Sequence, residues 1–332
     1  MLCVGHTAGE ASGPSDPERS RCQLHGAVAV LGDLTSLSKA SLDARHCSDR
    51  VATQRKKAVL DYEAEYNNRA RVPEYPEIAE RWSLLSSAYR LAGNAELDQP
   101  YGARERQRYD LFHAEAAGAP LVVYIHGGYW QRGDRKDYSF VARELNAAGV
   151  TVALPSYTLC PAVSVMEIGD EMQACMAALW RKTGRRPMVI GHSAGGHLTA
   201  EMLARTWSGG VPADLVRCGY AISGVFELAP LIDTSLNQAL GLTPGTARAA
   251  SPLFRPPPPK GRRLVAAVGG AESSEFLRQS RVLAESWSKV GLDAKYEVIA
   301  GANHFTVVDE LARPDSDMLK RIVLMAYEAD VG

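Results

Sequence analysis

The segment Gly191-His192-Ser193-Ala194-Gly195 joins a short apolar run at 188–190 directly to a helix-forming stretch at 194–205. No other feature of the chain restricts its fold as strongly. A serine at the tip of so sharp a strand-to-helix turn needs a strained backbone and small neighbours two residues to either side. A strand that leads straight into a helix is also the repeating unit of a parallel sheet. The flanking sequence repeats that unit. The continuous apolar run at 121–125 reads as a strand buried on both faces, and further strands are read at 150–154, 188–190, 216–222, 264–268 and 294–299. Between or after them, helical spacing is read at 139–148, 165–182, 194–205, 274–290 and 315–328, with an earlier helix at 76–91 and an early strand at 106–112. The expectation is a mostly parallel central sheet with helices on both faces.

Two regions depart from the alternation. Residues 1–54 are rich in Gly, Ser, Ala and Asp, hold half of the six cysteines and show no sustained period, apart from a short apolar run at 27–31. They read as a disordered extension ahead of a single domain at 55–332. Residues 227–260, between two strands, carry Pro256-Pro257-Pro258-Pro259. So long an excursion inside a compact domain is usually functional, and it reads as a cap or lid over the site.

The chemistry is expected at the C-terminal ends of the strands. Ser193 reads as a nucleophile, and the helix that begins at Ala194 offers that residue's N–H to a developing oxyanion. His126-Gly127-Gly128-Tyr129-Trp130 follows the strand at 121–125 directly, in the loop that supplies the remaining oxyanion donors in such an arrangement, and Gly128 and Tyr129 are the candidate amides. Of the eight histidines, only His304 follows the last strand, which makes it the candidate base; His126, His192 and His197 read as structural. The third member should follow the strand at 264–268. Glu272 is the first carboxylate there, and Glu275, in the first turn of the next helix, is the alternative. Together Ser193, His304 and Glu272 describe acyl transfer through a covalent intermediate that water then cleaves.

At these residues the chain resembles the kynurenine formamidase (arylformamidase) family of α/β-hydrolases, which is related to the hormone-sensitive-lipase-like carboxylesterases. His126 to Trp130 matches its H-G-G-x-W motif, and Gly191 to His197 matches its G-H-S-A-G-x-H elbow. The likeness runs from about residue 60 to the end. It implies the α/β-hydrolase fold and hydrolysis of N-formyl-L-kynurenine to kynurenine and formate, with no cofactor and no metal. The family's serine and histidine fall on Ser193 and His304. Its acid is usually Asp, where this chain has Glu272. An aryl substrate would suit an aromatic wall at Trp130 and Tyr129, while core packing is the other reading of Trp130. A broad carboxylesterase, amidase or carbamate hydrolase would use the same residues.

Composition narrows the partners. With 37 Lys+Arg against 38 Asp+Glu, the formal net charge is −1, which gives no electrostatic reason to bind nucleic acid or a membrane surface. No run of about 20 apolar residues is present, and no Cys-x-x-Cys pair suggests a metal knuckle. A small-molecule substrate and a cytoplasmic location are the expectations, with a homodimer as the candidate assembly.

Overall fold

The computed structural model describes residues 60–330. The extension at 1–54 and the apolar run at 27–31 lie outside the described residues. Eight strands form one sheet in the order β1-β2-β4-β3-β5-β6-β7-β8. They are β1 (Ala95–Pro100), β2 (Arg108–Phe112), β3 (Leu121–Ile125), β4 (Thr151–Pro155), β5 (Pro187–His192), β6 (Cys218–Ile222), β7 (Arg263–Gly269) and β8 (Asp293–Ile299). From β4 to β8 the pairings are parallel, whereas β1–β2 and β2–β4 are antiparallel.

The period-2 geometry of a strand splits the core into two layers. Val123, Ile125 and Val189 face the layer filled by the helices Val165–Thr183, Ala194–Ala204 and Ser274–Lys289. Val122, Tyr124, Met188 and Ile190 face the layer built by the helices Tyr75–Ala92, Ala142–Ala147 and Asp317–Asp330. Every residue of β3, β5 and β6 is buried, as continuous apolar runs require. The helix Val165–Thr183 is bounded by local chemistry. Ser164 and Glu167 form a capping box at its start, and Gly184 closes it with φ 67°.

Three features differ from the sequence reading. The helix expected at 139–148 is a 3-10 turn, Arg135–Val141, that runs into the helix Ala142–Ala147; Asp134 starts it early by accepting from the Lys136 amide. The edge strand β1 was not expected. It is polar, and its pairing slips between Glu96 and Gln99 beside Asp98 at φ 56°. Two short helices, Tyr62–Tyr66 and Asn68–Arg71, precede the first long one.

The excursion between β6 and β7 folds into short turns: Ala229–Asp233, Asn237–Leu240, Pro244–Ala249 and Pro252–Phe254. It is anchored rather than free. Leu228, Leu231, Leu240 and Ala247 join the core layer that holds the helix Ala194–Ala204.

Candidate active site

The site begins where β5 ends. Ser193 has φ 56° and ψ −116°, a conformation that costs roughly 1–3 kcal/mol and persists only where surrounding structure enforces it. Two backbone bonds do so here. The Ser193 amide donates to the Ile222 carbonyl at 2.9 Å, and the His197 amide donates to the Ser193 carbonyl at 3.0 Å. The helix that follows lies hard against β3: a Cβ on Gly195 would stand 1.9 Å from the Ile125 carbonyl oxygen, so only glycine fits.

His304 follows β8 and Glu272 follows β7. The His304 Nδ1 lies 2.6 Å from Glu272 Oε2. The other carboxylate oxygen of Glu272 accepts from the Ser223 hydroxyl at 2.5 Å and from the Gly269 amide at 2.7 Å. The carboxylate is thus held from both ends, and its remaining direction is toward the imidazole. With Nδ1 as the donor to Glu272, Nε2 is the nitrogen free to take a proton. Ser193 and His304 line the same cavity, of about 530 Å³. Glu275 is engaged elsewhere: it accepts from the Tyr66 hydroxyl at 2.9 Å and pairs with Arg278. Between the two carboxylates considered from sequence, only Glu272 reaches the imidazole.

The loop after β3 abuts the serine. A Cβ on Gly127 would meet Ser193 Cβ at 3.0 Å. Gly128, Tyr129 and Trp130 then run consecutively at φ 116°, 50° and 57°, which is rare for two bulky side chains. The amides of Gly128 and Tyr129 have no acceptor among the described residues, and that of Ala194, first in its helix, has no intrahelical partner. These three donors stand unused around the serine turn.

Trp130 requires a correction. Its side chain is fully buried, does not line the cavity and packs edge-on against the His197 ring at 4.9 Å. The left-handed backbone turns the indole into the core, so Trp130 fixes the loop instead of forming a substrate wall. Tyr129 does line the cavity. Its hydroxyl donates to the Tyr66 carbonyl at 2.6 Å and accepts from Asn68 Nδ2 at 3.2 Å.

His126, His192 and His197 are held in structural contacts. His192 Nε2 bonds to the His304 carbonyl at 2.7 Å, and His197 Nε2 bonds to the Ala250 carbonyl at 2.7 Å. Burial holds His192 well below its ordinary pKa and brings His197 to about 4. Both are therefore neutral near pH 7 and donate to those carbonyls. His126 is likewise lowered by burial to about 4, and its ring stacks on Tyr157 at 4.5 Å.

The sequence reading missed the opposite wall. Glu63, Tyr66, Asn68, Arg69 and Tyr75 line the cavity from the first helices, and Thr234 to Leu236 line it from the excursion. One signal was available: Asp61 and Asn67, six residues apart, each cap a short helix through a side-chain oxygen.

Comparison with known proteins agrees with this geometry. A family model described as the alpha/beta hydrolase fold matches residues 122–308. The chain belongs to the α/β-hydrolase fold family and is a hydrolase. Within that family its relatives include kynurenine formamidases, as the two motifs suggested. That of Salmo salar is 27% identical over 254 residues, which cover 73% of this chain and 86% of the relative. That of Drosophila melanogaster is 29% identical over 229 residues, covering 64% and 76%. A solved structure from Silicibacter sp., provisionally assigned as a thioesterase, is 31% identical with a TM-score of 0.72 and covers 79% of this chain and 98% of its own. Among the described residues no helix is long and apolar enough to cross a membrane.

Proposed function

We propose that this hydrolase cleaves an aryl formamide of the N-formyl-L-kynurenine type to an aryl amine and formate. The observation that carries the reading is the contact of His304 with Glu272 at 2.6 Å, with His304 and Ser193 lining one cavity. The kynurenine formamidases among the relatives support this substrate class.

In the proposed reaction Ser193 Oγ attacks the formyl carbon as its proton passes to His304 Nε2. Glu272 fixes the imidazole tautomer and stabilises the cation that forms. The carbonyl oxygen becomes an oxyanion held by the amides of Gly128, Tyr129 and Ala194, each such donor being worth roughly 3 kcal/mol of barrier. The C–N bond breaks, and His304 returns the proton to the leaving aryl amine. Water, deprotonated by the same imidazole, attacks the formyl ester; formate leaves and Ser193 recovers its proton.

A second reading, a hydrolase of carboxylic esters or thioesters, is favoured by the 31% identical bacterial structure. The test is kcat/KM for N-formyl-L-kynurenine against short p-nitrophenyl esters, with Ser193→Ala as control. Preference for the formamide is expected, with turnover lost in Ser193→Ala by about 10⁴-fold or more. A formamide-to-ester ratio far below one would remove the formamidase reading, and activity surviving in Ser193→Ala would remove the nucleophile.

A further inference from the structure

Arg132 is half-buried and lines the same cavity as Ser193 and His304, and its guanidinium has no hydrogen-bond or ion-pair partner among the described residues. The charged group that acts on it is another cation, Arg69; the other groups that act on it are the hydroxyls of Tyr75 and Tyr129. Burial and that second guanidinium both hold Arg132 below the ordinary arginine range. Two cations brought together in a concavity, neither with an acidic partner among the described residues, are a cost to the fold. Guanidinium in such a place is suited to grip a planar anion through two parallel N–H donors.

The acids that line the cavity do not serve as its partner. Both oxygens of Glu63 accept from Ser235, at 2.7 Å from the amide and 2.8 Å from the hydroxyl. Asp137 is exposed and makes no ion pair with Arg132 within 4 Å. Arg69 is already occupied at the rim, donating to the Tyr75 hydroxyl at 3.1 Å with its guanidinium over that ring.

Arg132 is also in fixed register with the proposed oxyanion amides. Its amide donates to the Gly128 carbonyl at 3.1 Å, and its own carbonyl fills the space a Cβ on Gly128 would need, 2.2 Å away. One turn therefore carries both the donors for the reacting oxygen and the free guanidinium.

We infer that Arg132 is a specificity-determining residue that binds a carboxylate on the leaving-group side of the substrate. The side follows from the proposed function, on which this inference rests: a formyl group is one carbon and has no room for a charge, so the anion must belong to the aryl amine. The substrate class is then an aryl formamide bearing a remote carboxylate, with the carboxylate and the scissile carbonyl read by one turn.

The test compares N-formyl-L-kynurenine with its side-chain carboxamide, read as the ratio of the two kcat/KM values within each protein, so that any general loss cancels. The wild-type ratio is expected to exceed about 10, to fall to near 1 in Arg132→Gln, and to recover in part in Arg132→Lys. A parallel measurement does not depend on formamide cleavage: inhibition of p-nitrophenyl acetate hydrolysis by L-kynurenine against L-kynurenine amide, in the same three proteins. If formamides are not cleaved but inhibition still favours the carboxylate and loses that preference in Arg132→Gln, the formamidase reading falls and the anion site stands. A wild-type ratio near 1 in both measurements, or a ratio unchanged in Arg132→Gln, overturns the inference whatever becomes of the formamide.

Discussion

On the sheet side of the cavity, Ser193, Glu272 and His304 are 3%, 8% and 4% exposed and sit just beyond the ends of β5, β7 and β8. The facing wall is made by helices of five and four residues, and two of its lining groups, Asn67 and Arg69, are exposed. The sheet wall is held by hydrogen-bonded backbone and a core on each face. The helical wall is held by a few long-range side-chain bonds: Tyr66 to Glu275 and Gln279, and Tyr129 to the Tyr66 carbonyl. Helices this short have little stability of their own. The contrast separates two tasks. Groups that must meet within a few tenths of an ångström are carried on the rigid layer, and groups that outline a substrate are carried on an arm that can vary without disturbing them.

The largest expected effect that would sharpen this division is at Glu272. Glu272→Gln keeps the shape but removes the charge that orients His304, and kcat should fall by roughly 10³–10⁴-fold with KM changed much less. A loss confined to KM would mean that the carboxylate only shapes the cavity. Next is Gly128→Ala. With φ 116° and a Cβ placed 2.2 Å from the Arg132 carbonyl, the loop must shift, and loss of oxyanion donors should lower kcat by about 10²–10³-fold. Single-turnover rates would show the loss in the chemical step; an unchanged rate there would exclude this loop from the oxyanion site. Smallest is Tyr66→Phe on the arm. It removes one of the two acceptors of Gln279 Nε2, which keeps the Glu227 carbonyl, and takes one donor from Glu275, at a cost of about 1–2 kcal/mol in unfolding free energy by urea titration. KM should rise about 2–5-fold with kcat nearly unchanged, and a kcat loss matching that of Glu272→Gln would break the comparison.

The same contrast explains what could be read from the sequence. The sheet and its long helices announce themselves, because burial on both faces demands continuous apolar runs and covering helices demand a 3.6-residue period. The serine turn and the glycine loop are local geometries that few sequences satisfy, and Glu272 and His304 followed from their place after consecutive strands. The arm gave no such signal: at five and four residues, its helices are shorter than the window in which periodicity can be seen. The edge strand β1 was hidden because half-buried polar residues and a slipped register leave no alternation. Trp130 was ambiguous for a different reason. Its neighbourhood is decided by three left-handed residues whose effect on side-chain direction appears only in three dimensions. Arg132 looked like any surface arginine, since isolation from acids is a property of the folded cavity.

The helix Ser274–Lys289 begins two residues after Glu272, and its first two turns contain Glu275 and Gln279, which receive Tyr66. That rod holds the strut that props the far wall, and the acid that aligns the imidazole lies in the turn that leads directly into it. A tilt of that rod would detune proton transfer and reshape the chamber at once. Changes in substrate scope are therefore most accessible at the outer positions of the arm, 63, 67 and 69, where a side chain can be exchanged without touching that rod.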